Sequence, residues 1–303
     1  MAQIDDLTAR LARRVVDDGM APGDALPSVR RLAADEGRAP ATVQRAYAVL
    51  ARAGVLALSP RRAARIAPGG DLAAQRLLRA GATFRLAGSD DPALAVVLGA
   101  VGDAIRLVGT SGSFRGLTAL WRNDADGAAL HLRHADGSHN APFARALLAG
   151  RDPVVVHLWR REQGLIVAPG NPLGLADAGA LERVRVAQRP RGTGTRTLMD
   201  HLVLEAGGAP RAVHGPEVEL HLDVAIAVAT GEAEAGLGLR SAARTFGLDF
   251  VPLVSEPFEI ATTRPQVGGL EPLLRALRDP AVRAQVEDLG GYDLARTGEI
   301  AAA

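Results

Sequence analysis

The chain has no cysteine and no lysine, so all 35 of its basic residues are arginine. Without thiols there is no disulfide, no thiolate metal site and no cysteine nucleophile. Without lysine there is no Schiff-base chemistry. Long apolar runs are also missing. No stretch approaches the roughly 18–20 residues of a membrane span. The start, MAQIDDLTARL, lacks the apolar core of a signal peptide. These absences make the cytoplasm the expected location and exclude a membrane partner. What is present is an apolar content of 48% over 303 residues, which suits a folded chain of two to three domains.

The net charge of +1 hides an asymmetry: residues 1–67 sum to +4 and the remainder to −3. A basic head on a mildly acidic body suits a nucleic-acid-binding domain joined to something else. Ile4, Leu7, Leu11 and Val15 recur at helical spacing, with Arg10, Arg13 and Arg14 turned outward. Ser28 sits where a helix N-cap belongs, and Val29 and Leu32 give the next helix a small buried stripe. Gly37 can supply a left-handed turn, and Pro40 suits the first position of a third helix. In that helix Val43, Tyr47 and Leu50 face inward, while Ala41, Gln44, Arg45 and Ala48 lie opposite, with Thr42 beside them. A face of small residues bearing Gln and Arg fits a major groove. Two apolar runs, Val55–Leu58 and Ala64–Ala67, flank Ser59-Pro60-Arg61-Arg62 and predict a hairpin with an arginine tip.

Residues 1–67 resemble the winged helix-turn-helix of GntR-type transcription regulators. Pro22-Gly23-Asp24, Leu26-Pro27-Ser28, Arg30, Leu32-Ala33, Gly37, Thr42-Val43, Arg45-Ala46-Tyr47, Leu50 and Gly54 carry the likeness. It implies DNA contacts at Arg30, Thr42, Gln44 and Arg45, with Arg61 and Arg62 on the wing, and a homodimer on a near-palindromic operator. The chain departs from the pattern at Ala39, where Ser or Asn would cap the recognition helix, and at the wing tip, which lacks a glycine.

Residues 68–82 read as a linker made of Gly69-Gly70 and a polar-apolar helix at Leu72–Arg79. From Thr83 short apolar runs alternate with helical ones, which predicts an α/β fold with largely parallel sheets. Three loops are chemically alike: Gly88-Ser89-Asp90, Thr110-Ser111-Gly112-Ser113 and Arg191-Gly192-Thr193-Gly194-Thr195-Arg196. Each sets hydroxyls and bare N–H groups at a helix start, where an anion is favoured. Singly, each is an ordinary capped connection; together they suggest an oxyanion or polar-ligand site. Catalysis has no comparable support. The Thr-Gly-Thr loop lacks the lysine of a phosphate-cradling loop, no nucleophile elbow is present, and His131, His134, His139 and His157 are scattered. Alternation would put Glu219, His221 and Asp223 on one face of a strand, as a hydrogen-bonded network at a pocket edge or, less simply, a metal set.

Residues 83–303 resemble the PBP-like domain, a type II periplasmic-binding-protein fold found in molybdate-linked regulators. The matching segments include Leu86–Asp90, Gly112–Leu117, His139–Pro142, Gln163–Leu165, Gly170–Pro172, Arg191–Arg196, Asp223–Ala229 and Phe246–Pro252. The resemblance implies a two-lobed domain, with lobe one at about 83–157 plus 257–303 and lobe two at about 158–256. The chain would cross near Val156–Arg161 and Leu253–Ile260. It also places a ligand between the lobes, near Ser89, Ser113, Asn140, Arg191, Thr193, Gly194 and Thr195. The expectation is therefore a ligand-responsive DNA-binding regulator with no enzymatic activity, no cofactor and no bound metal. Its effector is a small anion, with molybdate or tungstate favoured by the family association. Alternatives are a small organic anion as effector, or a cytoplasmic ligand-binding protein with a degenerate DNA-binding head. A fused aminotransferase-like enzyme is excluded, since it would need a lysine.

Overall fold

The computed structural model describes residues 6–59, 62–78, 83–110, 112–134 and 136–303. The chain divides into two compact units, one running to Thr83 with Arg264–Glu271 added, the other Phe84–Thr263 with Pro272–Ala303.

The first unit opens with helices α1 (Asp6–Asp17), α2 (Val29–Asp35) and α3 (Pro40–Arg52). A two-stranded antiparallel hairpin follows, β1 (Leu56–Ala57) with β2 (Arg65–Ile66), and then α4 (Gly70–Leu78). Leu7, Leu11, Val15, Leu32, Val43, Tyr47, Leu50 and Ile66 meet in one core, as their spacing predicts. Ser28 caps α2 by accepting the Arg31 N–H at 3.3 Å. The Tyr47 hydroxyl donates to the Pro27 carbonyl at 2.7 Å, which ties α3 to the entry of α2. Burial pushes that phenol up to about 12, against a smaller pull from Arg14.

Residues 70–78, expected within a linker, are helical and belong to this unit. Ala73 and Ala74 of α4 sit in its core. The chain also returns here at 264–271, residues expected in lobe one. Gln75 accepts the Gly268 N–H at 2.8 Å, and Arg76 pairs with Glu271 at 3.2 Å. Nothing local in the sequence announces so distant a partner.

The second unit is built on β3 (Phe84–Gly88), α5 (Pro92–Val101), β4 (Ile105–Gly109), α6 (Ser113–Trp121), β5 (Gly127–Leu130) and α7 (Ala141–Leu147). The chain continues through β6 (Pro153–Val167), β7 (Val186–Ala187), α8 (Gly194–Glu205), α9 (His221–Ala229), β8 (Ala235–Leu239), α10 (Arg240–Thr245) and β9 (Asp249–Thr263). It closes with α11 (Glu271–Ala276), α12 (Pro280–Leu289), β10 (Tyr292–Asp293) and β11 (Ile300–Ala302). One nine-stranded sheet takes the order β4-β3-β5-β9-β6-β8-β7, with β10 and β11 also on β6.

The sheet is mixed, where a largely parallel one was expected. β3 pairs in parallel with β4 and β5, and β7 with β8. The strands β6 and β9 are 15 residues each and pair antiparallel along their length. They carry the chain out of one lobe and back, so they must run in opposite directions. Separate cores mark the lobes: Leu117, Leu130 and Leu132 in one, Leu165, Leu198 and Leu237 in the other. The segment from His221 to Ala229 is a helix and not a strand. Asp223 accepts the Leu220 N–H at 2.9 Å and so caps the first turn, while Val224, Ala225, Ala227 and Val228 form its buried stripe. Glycine matters at Gly88, whose φ is +118°: Gly116 of α6 packs so close that a Cβ on it would lie 2.4 Å from the Gly88 Cα.

Ala39 is extended and offers α3 no side-chain cap. Ala39→Ser should accept an N–H of the first turn and raise the stability of the first unit by about 1 kcal/mol. Thermal unfolding of the two proteins side by side checks this, and an unchanged or lower midpoint counts against it.

Candidate functional site

In the first unit, α3 buries Val43, Ala46, Tyr47 and Leu50 and exposes Ala41, Gln44, Arg45 and Ala48. Arg30, on α2, is exposed, and Thr42 is half-buried. Several neighbouring arginines are paired: Arg10 with Glu36, Arg14 with Asp18, Arg38 with Asp6. Arg30, Gln44 and Arg45 have no such partner among the described residues. Arg62 is exposed on the wing, while Arg61 lies outside the described residues.

In the second unit the loops after β3, β4 and β7 meet across the lobes. Ser89 and Ser113 are buried and share a hydrogen bond of 2.7 Å between their hydroxyls. Ser113 also accepts the His131 N–H at 3.2 Å. Thr193 caps α8 by accepting the Arg196 N–H at 3.3 Å and donates to the Pro190 carbonyl at 2.8 Å. Two close approaches join the lobes. A Cβ on Gly112 would meet the Thr193 methyl at 3.3 Å, and one on Gly194 would lie 2.4 Å from the His131 ring. Thr195 is buried and its hydroxyl has no hydrogen-bond partner among the described residues. Arg191 is exposed at the rim. Asn140 stands apart from this group. Its amide accepts the Leu132 N–H at 2.7 Å and donates to Glu259 at 2.9 Å, so both of its polar atoms are engaged within lobe one.

Arg189, Arg161 and Glu256, which dominate the cleft, were not singled out by sequence. Arg189 donates to Asp90 at 2.9 Å, and the other Asp90 oxygen accepts the His221 N–H at 3.1 Å. A lobe-one carboxylate is thus held by a lobe-two guanidinium and the first turn of α9. Burial opposes the charge on Asp90, but His221 and Arg189 outweigh it and lower its pKa. Beneath them Arg161 of β6 is fully buried, bonded to Asp91 at 2.5 Å and to Glu256 at 3.1 Å. Gln163 donates to the same Glu256 oxygen at 2.6 Å, and His131 Nδ1 lies 2.9 Å from it. Burial opposes ionisation of Glu256, yet His131, Arg161 and Gln163 hold its carboxyl at about 2. His131 and His221 are pushed below the ordinary imidazole value, first by burial and then, against their carboxylate neighbours, by the arginines. A signal for Arg161 did exist: it lies in the short polar stretch Arg160-Arg161-Glu162-Gln163 between the apolar runs Val154–Val156 and Leu165–Val167.

Two cavities open on either side of the His131–Gly194 contact. One, of about 120 Å³, is lined by Thr110, Phe114, Arg115, Arg189, Arg191 and Glu219 among others. The second, of about 220 Å³, is lined by His131, Arg133, His134, Gly194, His201 and Glu256 among others. Three arginines against one glutamate make the first suited to an anion. Among the described residues no cluster of His, Asp and Glu is placed to hold a metal, and no helix is long and apolar enough to cross a membrane.

Residues 3–66 match the family model for bacterial regulatory proteins of the gntR family, and residues 101–278 match the PBP superfamily domain. An uncharacterized protein, YvgK of Bacillus subtilis (strain 168), is 30% identical over 194 residues, covering 62% of this chain. The chain spans 63% of the length of that relative. A hydrogen-peroxide-bound mutant of OxyR from Corynebacterium glutamicum superposes with a TM-score of 0.51 at 13% identity, over 95% of both chains. At that identity the likeness concerns the fold. An ABC-type phosphate transport receptor from Vibrio cholerae gives a TM-score of 0.46 at 13% identity, over 69% of this chain and 98% of its own.

Glu256 links stability to pH. Its folded pKa lies below the ordinary 4.5, so its contribution is present above that value and is lost as pH falls toward about 2. The loss should reach roughly 3 kcal/mol at most. Unfolding midpoints measured from pH 5 to pH 2 should fall less steeply in Glu256→Gln than in the wild type; parallel curves would refute the assignment.

Proposed function

The chain belongs to the PBP superfamily and carries a gntR-family regulatory head, and from this we propose that it is a ligand-responsive transcription regulator, acting in the cytoplasm as a dimer. It works by binding and not by catalysis. The observation that carries this reading is the fusion itself: a DNA-reading head joined to a two-lobed body with charged groups in its cleft.

The head meets double-stranded DNA through α3, with Gln44 and Arg45 toward base edges and Thr42 beside them. Arg30, Arg61 and Arg62 contact the backbone. Support comes from the exposure of Arg30, Gln44, Arg45 and Arg62 and from the lack of ion pairs at Arg30 and Arg45 among the described residues. A dimer matches the two-fold symmetry of paired half-sites. The edge strand β4 leaves Leu107 and Val108 exposed, which gives a second copy an apolar surface to cover.

The effector is a small anion received between the lobes, near Ser89, Ser113, Arg191 and Thr193–Thr195. Two classes fit an anion site of this kind: a tetrahedral oxyanion such as molybdate or tungstate, and a small organic anion. The units are joined covalently at Thr83 and through the segment that leaves β9 at Thr263. Effector and DNA then bias the same two-state element, and linkage makes the coupling reciprocal.

Binding to DNA from the protein's own promoter region should weaken steeply with salt. Arg30→Ala should reduce the slope of log affinity against log salt by about 1 and weaken binding. Fluorescence anisotropy over a salt series reads both. Salt-insensitive or absent binding would sink the regulator reading.

A further inference from the structure

The cavity of about 120 Å³ between the lobes contains more chemistry than a generic anion site. Arg189, on its wall, is 4% exposed. One of its nitrogens reaches Asp90, while Nε and Nη1 have no hydrogen-bond partner among the described residues. Buried guanidinium donors without acceptors are unfavourable, so a ligand oxygen there is strongly favoured. Arg115 and Arg191 line the same cavity, are exposed, and have no ion pair among the described residues.

The neutral donors tell the opposite story. Ser89 and Ser113 are bonded to each other, the Gly112 N–H goes to the Gly88 carbonyl at 3.2 Å, and Thr193 donates to Pro190. A tetrahedral oxyanion held by the hydroxyls and N–H groups named here finds them already engaged; the Thr195 hydroxyl, unpartnered among the described residues, does not line this cavity. The guanidinium groups are not fully engaged. Apolar surface is also present, in the Phe114 ring, 41% exposed, and in Pro190. A bare oxyanion has no apolar body to set against it. Glu219 lines the same cavity and has no ion pair among the described residues, which leaves three guanidinium groups against one carboxylate.

We propose that this cavity receives a small organic carboxylate, and that the ligand engages Arg189 in competition with the protein's own Asp90. Asp90 is thus a resident anion: it belongs to lobe one yet occupies the guanidinium and helix start of lobe two. A ligand carboxylate that takes over Arg189 replaces this internal contact with its own and alters how firmly the lobes are latched. The proposal rests on the reading of the cleft as the effector site.

The test is a thermal shift of the full-length protein in succinate, benzoate or molybdate, each at roughly 100 mM against chloride of matched ionic strength. Succinate or benzoate should raise the unfolding midpoint by about 2–4 °C. Arg191→Ala should lose that shift while keeping its midpoint in chloride, since the side chain is exposed and unpaired. Asp90→Asn should enlarge the shift, because the competitor is gone. The site assignment is overturned by no shift with either carboxylate, by a shift with molybdate alone, or by an undiminished shift in Arg191→Ala. An unchanged or smaller shift in Asp90→Asn overturns the competition. Promoter-DNA binding on the same samples separates the two readings. A carboxylate shift without DNA binding leaves this site standing and removes the regulator; DNA binding without a shift does the reverse.

Discussion

A buried guanidinium holds the second unit together. Arg161 sits on the strand that crosses between lobes, opposite Glu256 in the β6–β9 register, and reaches back to Asp91 at the start of α5. Asp91 in turn caps α5 and accepts from Tyr292, whose hydroxyl also meets Ser241 at the start of α10. Trp159 and Phe258 stack at 5.5 Å beside it, and Arg161 lies over the Phe258 ring at 4.7 Å. Removing one partner from such a cluster costs about 3–5 kcal/mol, because the others are left charged and dry. The polar groups of the cleft, from Asp90 through His131 to Glu256, are placed by this anchor.

Much of the head was legible because its signals are local. Ser28, Gly37 and Pro40 mark helix boundaries within a few residues, and Val43, Tyr47 and Leu50 follow the helical period. The resemblance to a GntR head and the family match over residues 3–66 agree. The α4 helix was legible, but its place in the core of the head and the return of residues 264–271 were not. That return depends on Gln75 meeting Gly268, a pairing across 193 positions that no spacing rule encodes.

In the body, the strand–loop–helix rhythm gave the fold class, but two kinds of error followed from reading short windows. Strand direction was missed because antiparallel pairing of β6 with β9 joins segments about 95 residues apart. His221 and Asp223 were read by alternation, although a cap and an apolar stripe of helical spacing were both present. Asn140, expected near ligand, has its amide bonded to the Leu132 N–H and to Glu259. The site's hydroxyl loops and Arg191 were visible, and Arg161 and Arg189 were not. Arg161 and Arg189 differ from solvated arginines only through partners that the fold supplies.

All seven histidines lie in the second unit, and the described part of the head has neither histidine, lysine nor cysteine. The residue types that change charge near neutrality are therefore confined to one half of the molecule. The head presents a fixed electrostatic surface to nucleic acid, made from guanidinium groups that stay protonated at any physiological pH. Histidine protonation therefore acts, among the described residues, within the body alone. The two halves are electrically unlike: one is a constant, the other a variable.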